Sequence, residues 1–307
     1  MTSSVTILMG SYNGGRFIGE QLDTIEGQSH GRWSLTVSDD GSADYTVDVL
    51  RTYQDKWGQD KLRLRKGPGR GFCRNFLSLA CDPGTRSDYY AFSDQDDLWE
   101  PGKLSAAIEW LDATPGDVPA LYCGRTRSVD EGGAELGLSP HFKKRPSFRN
   151  ALIQSIAGGN TMVFNEAARQ LIVSAGSNVD VPSHDWWLYI LVTGCGGVVK
   201  YDPVPMLNYR QHGGNLVGSN TSLMARASRI VKLLRGRLRD WNTQHLEALS
   251  PVTHLLSQDA LDTLERFGHM RQAPVLRRIS GFRNLEIYRQ TGLGQAGLML
   301  AVTLGKI

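Results

Sequence analysis

Short apolar runs alternate with longer amphipathic stretches over the first 125 residues, and this alternation constrains the fold more than any other feature. The apolar runs predict strands at Val5–Met9, Trp33–Ser38, Lys61–Arg65 and Tyr89–Ser93. The amphipathic stretches predict helices at Phe17–Gln28, Thr46–Trp57, Phe72–Ala80 and Gly102–Ala113. Strands that alternate with helices at this spacing indicate βαβ units. We therefore expect an α/β fold with a mainly parallel central sheet flanked by helices.

The second half of the chain is less regular. Its patterns predict helices at Ser147–Ser155, Glu166–Ser174 and Asp185–Val192, and strands at Thr161–Phe164, Gly197–Tyr201 and Leu207–Tyr209. From Leu223 onwards the pattern is helical. We therefore place a boundary near Ser219–Ser222, between a domain over residues 1–220 and a helical C-terminal region over residues 221–307.

Polar clusters follow three of the predicted strands: GSYNGG after the first, SDDGS after the second and SDQDD after the fourth. In parallel sheets, ligands bind at the carboxyl ends of the strands. The third cluster brings Asp94, Asp96 and Asp97 close together, and such charges repel one another unless a cation or water separates them. The clusters therefore predict a ligand site, and the third suggests a metal ion.

The net charge of +3 conceals an asymmetry along the chain. Residues 225–307 contain 13 Lys/Arg and 6 Asp/Glu, which leaves 21 and 25 in the first 224 residues. Because the part that carries the motifs is net negative, direct nucleic-acid binding is not expected. The basic C-terminal region ends in QAGLMLAVTLGKI, which is compatible with contact to an anionic membrane surface or with a helical subdomain whose solvated face is basic.

Several features predict a cytoplasmic location. The basic tail additionally suggests peripheral attachment to the inner face of the cell membrane. The amino-terminal residues lack the basic and apolar segments of a signal peptide. No run of 18 apolar residues occurs, so no membrane-spanning helix is predicted. The 4 cysteines contain no CxxC pair, which favours free thiols in a reducing compartment.

Four segments together resemble family 2 of the nucleotide-sugar glycosyltransferases, which are inverting enzymes with the GT-A fold. They are residues 6–46, SDQDDLWEPGKL at 93–104, HDWW at 184–187 and YRQHGGN at 209–215. The later segments are similar to bacterial members that assemble surface polysaccharides and are often classed with rhamnosyltransferases. The resemblance covers residues 5–217 and implies a Rossmann-like nucleotide-binding half over 1–125 and an acceptor-binding half over 126–220.

The resemblance implies a pocket for a pyrimidine nucleotide diphosphate. Asp39 would accept a hydrogen bond from the base N3–H, and Asp40 would lie towards the ribose or the turn. The alternative for both acids is a plain turn before a helix capped by Asp44. Tyr12 would stack on the base. Further nucleotide or diphosphate contacts are expected from Ser11, Asn13, Arg70, Arg74, Asp94, Gln95 and Arg210.

The resemblance also implies a Mn²⁺ or Mg²⁺ ion that offsets the charge of the leaving diphosphate. Asp94-Gln95-Asp96 fits the DxD pattern of the family. Asp96 would bind the metal directly, Asp94 would reach the ribose or the metal through water, and Asp97 would cap the next segment. His212 is expected as a third protein ligand, and its alternatives are a hydrogen bond to the diphosphate or a structural role.

In the acceptor half, Asp185 occupies the position of the family's catalytic base, which would take the proton of the acceptor hydroxyl. The alternative is a helix-capping role. His184 replaces the Glu that usually precedes this Asp, as in the bacterial subgroup. Trp186 and Trp187 would offer an apolar face to a sugar, or else would begin a core helix. Gly159 and Asn160 are expected in a loop that contacts the acceptor.

These features predict an inverting transferase that moves a sugar from dTDP-rhamnose or a UDP-hexose to a glycan or lipid-linked acceptor, as in synthesis of bacterial surface polysaccharides such as O-antigen. A sugar nucleotidyltransferase is an alternative, but SYNGGRF lacks the Lys that a triphosphate-binding loop would need. A non-catalytic glycan- or nucleotide-binding protein is another, although Asp94, Asp96 and Asp185 are all present.

Overall fold

The structure is a computed structural model and describes residues 2–213 and 236–307. The strands are β1 Val5–Ser11, β2 Trp33–Asp39, β3 Leu62–Lys66, β4 Tyr89–Ser93, β5 Leu98–Trp99, β6 Ala120–Gly124, β7 Arg127–Val129, β8 Glu135–Leu138, β9 Val163–Asn165, β10 Val198–Asp202 and β11 Leu207–Arg210. The helices are α1 Gly15–Glu26, α2 Thr46–Trp57, α3 Phe72–Ala80, α4 Lys103–Asp112, α5 Phe148–Ala151, α6 Glu166–Ala175, α7 His184–Gly194, α8 Arg237–Leu249, α9 Gln258–Gln272, α10 Val275–Asn284 and α11 Gly292–Thr303.

A seven-stranded sheet with the order β10-β6-β9-β4-β1-β2-β3 forms the centre of the molecule. β9 runs antiparallel to β4 and β6, and the other neighbouring strands are parallel. The predicted α/β class with a mainly parallel sheet is confirmed. Ser11 is in register with Asp39, and Met9 with Ser93, so the three polar clusters leave the sheet at the same edge.

A second sheet, of four strands, has the order β5-β11-β7-β8 and joins distant parts of the chain. β5 pairs antiparallel with β11, with Trp99 opposite Leu207. β5 begins immediately after Asp97, and β11 ends at Arg210. This pairing therefore brings residues 210–212 beside the acidic cluster at residues 94–97.

The two faces of the central sheet are covered by separate hydrophobic clusters. In β1, Leu8 belongs to the cluster that includes residues of α3, α6 and α7, whereas Ile7 and Met9 belong to the cluster that includes residues of α1, α2 and α4. Successive residues of a strand point to opposite faces, so a strand covered on both sides is apolar throughout. Burial of each such side chain stabilises the fold by about 1.5–3 kcal/mol.

The C-terminal helices α8 to α11 pack on the same cluster as α7, through Leu249, Phe267, Leu298 and Val302 among others. The boundary predicted near Ser219–Ser222 lies outside the described residues. Within residues 2–213 and 236–307, no helix combines the length and the apolar character needed to cross a bilayer.

Two predicted elements of the second half are shorter in the structure. The helix expected at Ser147–Ser155 is restricted to Phe148–Ala151. The strand expected at Thr161–Phe164 begins at Val163 because the residues before it, Gly159–Thr161, form a 3₁₀ turn. In this turn the Thr161 hydroxyl donates to the Gly158 carbonyl at 2.9 Å.

Candidate active site

Asp39, the last residue of β2, builds a turn. Its carboxylate accepts hydrogen bonds from the Ser11 hydroxyl (2.9 Å), the Ser42 hydroxyl (2.6 Å) and the N–H groups of Ser42 and Gly41 (2.9 and 3.2 Å). A carboxylate has about four acceptor positions, and all are used within the protein. The predicted contact from Asp39 to a base N3–H stays a prediction, since the carboxylate is buried and would have to exchange one of these hydrogen bonds for the base.

Asp40 holds the glycine-rich loop after β3. Its Oδ1 accepts from the Gly69 N–H at 2.7 Å and its Oδ2 from the Gly71 N–H at 2.8 Å. Both glycines have positive φ, +66° and +83°, a conformation that L side chains rarely adopt. Asp40 is only partly buried. One acceptor position on each of its oxygens thus remains for a ligand.

Gln95 fixes the backbone of Tyr12. The Tyr12 N–H donates to Gln95 Oε1 at 2.9 Å, and Gln95 Nε2 donates to the Tyr12 carbonyl at 3.0 Å. Asn13 holds the facing turn, since its side-chain oxygen accepts from the Ala43 N–H at 2.8 Å. The Tyr12 side chain itself is 59% exposed. Gln95 and Asn13 therefore position the loop that presents the Tyr12 ring.

The acidic loop continues into the protein at Asp97, which is completely buried. Asp97 Oδ2 accepts from Asn160 Nδ2 at 2.7 Å. Burial, and then the charges of Asp94 and Asp96, raise the pKa of Asp97 well above its usual value. Burial is also the main reason why the pKa of Asp94 rises to about 7, and the charges of Asp96 and Asp185 act in the same direction. The carboxylates of Asp94, Asp96 and Asp185 therefore share one electrostatic environment.

Lys103, at the start of α4, is a buried titratable residue of this site that the sequence patterns did not identify. Its ammonium lies 3.4 Å from the centroid of the Trp99 ring. Burial lowers the pKa of Lys103 to about 7, whereas the charges of Asp97 and Asp94 raise it. The burial of Lys103 could have been predicted from helical spacing, because Lys103, Ala107 and Leu111 share the buried face of α4. Lys103 therefore lies within electrostatic reach of Asp94 and Asp97.

Asp185 lies in the first turn of α7 and is linked to the acidic loop through a short 3₁₀ turn. Its Oδ2 accepts from the Gly159 N–H at 3.1 Å, and its Oδ1 accepts from the Trp186 N–H at 2.6 Å and from the Ser183 hydroxyl. The residue after Gly159 is Asn160, which holds Asp97. Two consecutive residues thus connect Asp185 with the carboxylates at the end of β4.

Four predicted acceptor contacts are buried. Trp187 lies in the core, and Trp186 donates its indole N–H to the Ala151 carbonyl at 2.6 Å. His184 stacks on Phe76 with ring centroids 4.0 Å apart, and burial lowers the pKa of His184 to about 4. Neither Trp offers a face to a sugar, and the core-helix alternative holds. The amide of Asn160 is likewise buried against Asp97 instead of facing an acceptor.

Asp96 and His212, which are predicted metal ligands, lie side by side. Asp96 Oδ2 is 2.7 Å from His212 Nε2, and the His212 ring packs on Phe17 with centroids 4.7 Å apart. Arg210 is buried and donates to the Asp96 carbonyl (3.1 Å) and to Glu20 Oε2 (2.6 Å). The predicted diphosphate contact from Arg210 stays a prediction; in the structure its guanidinium holds the backbone of the acidic loop.

Arg70 and Arg74 share the wall of a cavity. They line a cavity of about 250 Å³ together with Pro68, Ser78, Ser177 and Asn178. Arg74 makes only long contacts, of 3.4 Å, to the Ser177 carbonyl and the Asn178 side chain. The lining of this cavity includes neither Asp96 nor His212.

The donor set around Asp96 fits a divalent cation in part. Within residues 2–213 and 236–307, no three His, Cys, Asp or Glu side chains come together as a metal-binding cluster. Asp96 and His212 nevertheless supply one oxygen and one nitrogen donor at the same point, and Asp94 is close enough to respond to the charge of Asp96. Because Mg²⁺ and related ions keep several waters and bind substrate phosphates, two protein ligands are sufficient.

Comparisons with known proteins identify the family of the chain. Residues 6–172 match the protein-family model described as Glycosyl transferase family 2. The chain is 30% identical over 262 residues to the dTDP-rhamnosyl transferase RfbG of Shigella flexneri, covering 82% of this chain and 86% of that protein. It is also 30% identical over 110 residues to the putative teichuronic acid biosynthesis glycosyltransferase TuaG of Bacillus subtilis, covering 35% of this chain and 41% of that protein.

Two solved structures are similar in fold. S. aureus TarS 1–349 in complex with UDP-GlcNAc gives a TM-score of 0.54 at 15% identity, over 92% of this chain and 90% of that chain. The mannosyltransferase PcManGT from Pyrobaculum calidifontis, in complex with GDP-Man and Mn²⁺, gives a TM-score of 0.54 at 17% identity, over 100% of this chain and 86% of that chain. At these identities the comparison concerns the fold alone.

Proposed function

Because the chain belongs to glycosyl transferase family 2 and has the GT-A fold, we propose that it is an inverting, metal-dependent glycosyltransferase. The proposed donor is dTDP-rhamnose or a UDP-hexose, and the proposed acceptor is a glycan or lipid-linked saccharide of a bacterial surface polysaccharide. The observation that carries the proposal is the link from Asp185 through Gly159 and Asn160 to Asp97, which joins a base to the acidic loop.

For the base of the nucleotide, we assign recognition to Asp40 and Tyr12. Asp40 keeps acceptor positions that could receive the N3–H of uracil or thymine, whereas those of Asp39 are filled. The exposed Tyr12 ring is available to stack on the base. The similarity to RfbG, whose name refers to dTDP-rhamnose, supports a pyrimidine donor.

For the diphosphate, we propose that Asp96 and His212 hold a Mn²⁺ or Mg²⁺ ion, with Asp94 acting through water. When bound, the ion would neutralise charge that develops on the leaving diphosphate. Arg210 and Gln95 act indirectly, since they hold the Asp96 carbonyl and the Tyr12 backbone. The presence of Mn²⁺ in the PcManGT structure supports use of a divalent ion in this fold.

For the transfer step, we propose Asp185 as the general base. The acceptor hydroxyl would attack the anomeric carbon from the face opposite the diphosphate, and its proton would pass to Asp185. The new C–O bond forms as the bond to the diphosphate oxygen breaks, and the electron pair leaves with the diphosphate. The N–H groups of Gly159 and Trp186 orient the carboxylate for this role. We further propose that the protein acts in the cytoplasm at the inner face of the cell membrane, where a lipid-linked acceptor would be held.

The proposal is tested with purified protein, a panel of nucleotide sugars, and Mn²⁺ or chelator. We expect donor turnover that requires the metal and falls roughly 10²–10⁴-fold in Asp185→Asn, with nucleotide affinity unchanged. Asp180→Asn is the matched control, because Asp180 is an exposed carboxylate in the same segment. Full turnover by Asp185→Asn would remove the base assignment. Metal-independent turnover would remove Asp96 and His212 as ligands, and nucleotide-sugar synthesis from a triphosphate would favour a nucleotidyltransferase.

A further inference from the structure

Helix α11, Gly292–Thr303, carries an apolar face that no described element covers. Residues 290–305 contain no charged side chain. One side of the helix is buried in the core through Leu298, Ala301 and Val302. The opposite side exposes Leu293 (67%), Leu300 (44%) and, just beyond the helix, Leu304 (52%). Surface helices normally present polar residues to solvent, so an apolar outward face indicates a partner.

Helix α10 extends this face at its own start. Leu276 is 83% exposed and its neighbour Val275 is also exposed. Arg278, two residues further on, donates to the Val302 carbonyl at 3.2 Å. The start of α10 therefore lies beside the end of α11. We call the exposed set Val275, Leu276, Leu293, Leu300 and Leu304 the leucine face.

Basic side chains accompany the leucine face. Residues 274–307 contain five Lys/Arg and one Asp/Glu. Arg277 and Arg283 are exposed, and neither forms an ion pair with any residue in the described ranges. Arg283 follows Leu276 by seven residues and so shares its side of α10. The apolar face is thus next to uncompensated positive charge.

We propose that the leucine face and the arginines beside it dock on an anionic lipid bilayer. Leucines would enter the boundary between headgroups and acyl chains, and Arg277 and Arg283 would contact lipid phosphates. A second copy of this chain fits less well, because a two-fold contact would bring the same arginines of both copies together. Attachment to a bilayer does not depend on the proposed reaction, although it would bring the enzyme to a lipid-linked acceptor.

Point substitutions test the proposal better than truncation, because deleting Gln295–Ile307 would also remove Leu298, Val302 and Ile307 from the core. The full chain is sedimented with vesicles of phosphatidylcholine alone and of phosphatidylcholine with 30% phosphatidylglycerol, at low and high salt. We expect binding to the anionic vesicles only, and weaker binding at high salt. The double variants Leu293→Gln/Leu300→Gln and Arg277→Gln/Arg283→Gln should each reduce partitioning about tenfold or more.

The matched control for the leucines is Leu136→Gln/Leu138→Gln, since both residues are exposed in β8. The matched control for the arginines is Arg51→Gln/Arg86→Gln, at exposed positions of the nucleotide half. Thermal unfolding verifies that every variant is folded. Failure of the wild type to bind anionic vesicles, or an equal loss in the control variants, would overturn the proposal. If the wild type forms dimers that the leucine variants dissociate, and does not bind vesicles, the leucine face is a self-association surface and the proposal is overturned. Vesicle binding by a chain with no transferase activity would leave this inference standing and remove only the proposed reaction.

Discussion

Gly14 and Gln95 form a pair whose coupling can be measured directly. A Cβ added at Gly14 would overlap the side-chain amide of Gln95 and stand 2.8 Å from its Nε2. The backbone of Gly14 has φ −104°, which alanine tolerates, so the conflict is confined to the side chain. Gly14→Ala must therefore displace Gln95 from the two hydrogen bonds that hold Tyr12, at 2.9 and 3.0 Å.

The size of the effect follows from those two bonds and from the overlap. Each bond contributes about 0.5–1.5 kcal/mol, and the low end applies because water can reach the Tyr12 backbone. Gln95→Ala alone should therefore lower the free energy of unfolding by about 1 kcal/mol. Gly14→Ala should add an overpacking cost of about 1–3 kcal/mol to the same loss. In the double variant the overlap disappears, so stability should return to about that of Gln95→Ala.

Urea unfolding of the four proteins measures this cycle, provided that the m-values agree. We expect Gln95→Ala to rescue Gly14→Ala by about 1–3 kcal/mol, and both single variants to bind dTDP or UDP more weakly because Tyr12 is less well fixed. Gly31→Ala is the control, since nothing lies within 4 Å of its Cβ position. If Gly14→Ala costs the same with and without Gln95, the packing argument is refuted.

Three further predictions concern stability. Asn160→Ala removes the donor to the buried Asp97 and should lower the free energy of unfolding by about 1–3 kcal/mol, measured in urea; an unchanged midpoint would contradict the proposed bond. Burial lowers the pKa of His245 to about 3, so the unfolded chain takes up a proton at its ordinary pKa of 6.5 before the folded protein does. The stability that neutral His245 contributes is fully present above pH 6.5 and is lost as pH falls towards 3. At pH 5 the free energy of unfolding should therefore be lower by about 2 kcal/mol than at neutral pH, and His245→Phe should reduce this pH dependence. Arg210→Met removes the donors to the partly buried Asp96 carbonyl and to Glu20 and should cost about 2–4 kcal/mol. Glu20→Gln should cost under about 1 kcal/mol because Glu20 is exposed, and equal costs would argue against this.

The fold and the edge of the sheet that carries the site could be predicted from local patterns. Apolar runs of strand length and helices with a 3.6-residue period are local properties, and so are the polar clusters after β1, β2 and β4. The roles of neighbouring acids could not be separated in this way. Asp39 and Asp40 are adjacent in the chain, but only the folded turn shows that Ser11 and Ser42 fill the acceptor positions of Asp39.

The burial of the two tryptophans and of Arg210 was not predicted from the sequence. HDWW is followed by the apolar residues Leu188 to Val192, so α7 is buried on nearly all sides and the tryptophans lie inside. Arg210 ends β11, and its surroundings depend on the pairing of that strand with β5 and β7. Neither environment is a property of the nearest neighbours in the chain.

By itself the sequence determined seven of the eleven described strands, most of the helices, the α/β class and the edge at which acids gather, because each depends on residues close together in the chain; β5 to β8 were not predicted. Tertiary structure alone decided which side chains meet, as in Asn160 with Asp97 and His212 with Asp96, pairs 63 and 116 residues apart. It also decided that Lys103 would be buried near Asp94 and Asp97, and that no element within residues 2–213 and 236–307 would cover the leucine face. The physical reason is that periodicity reports which face of an element is apolar, whereas the partner of that face is fixed only when distant elements pack together.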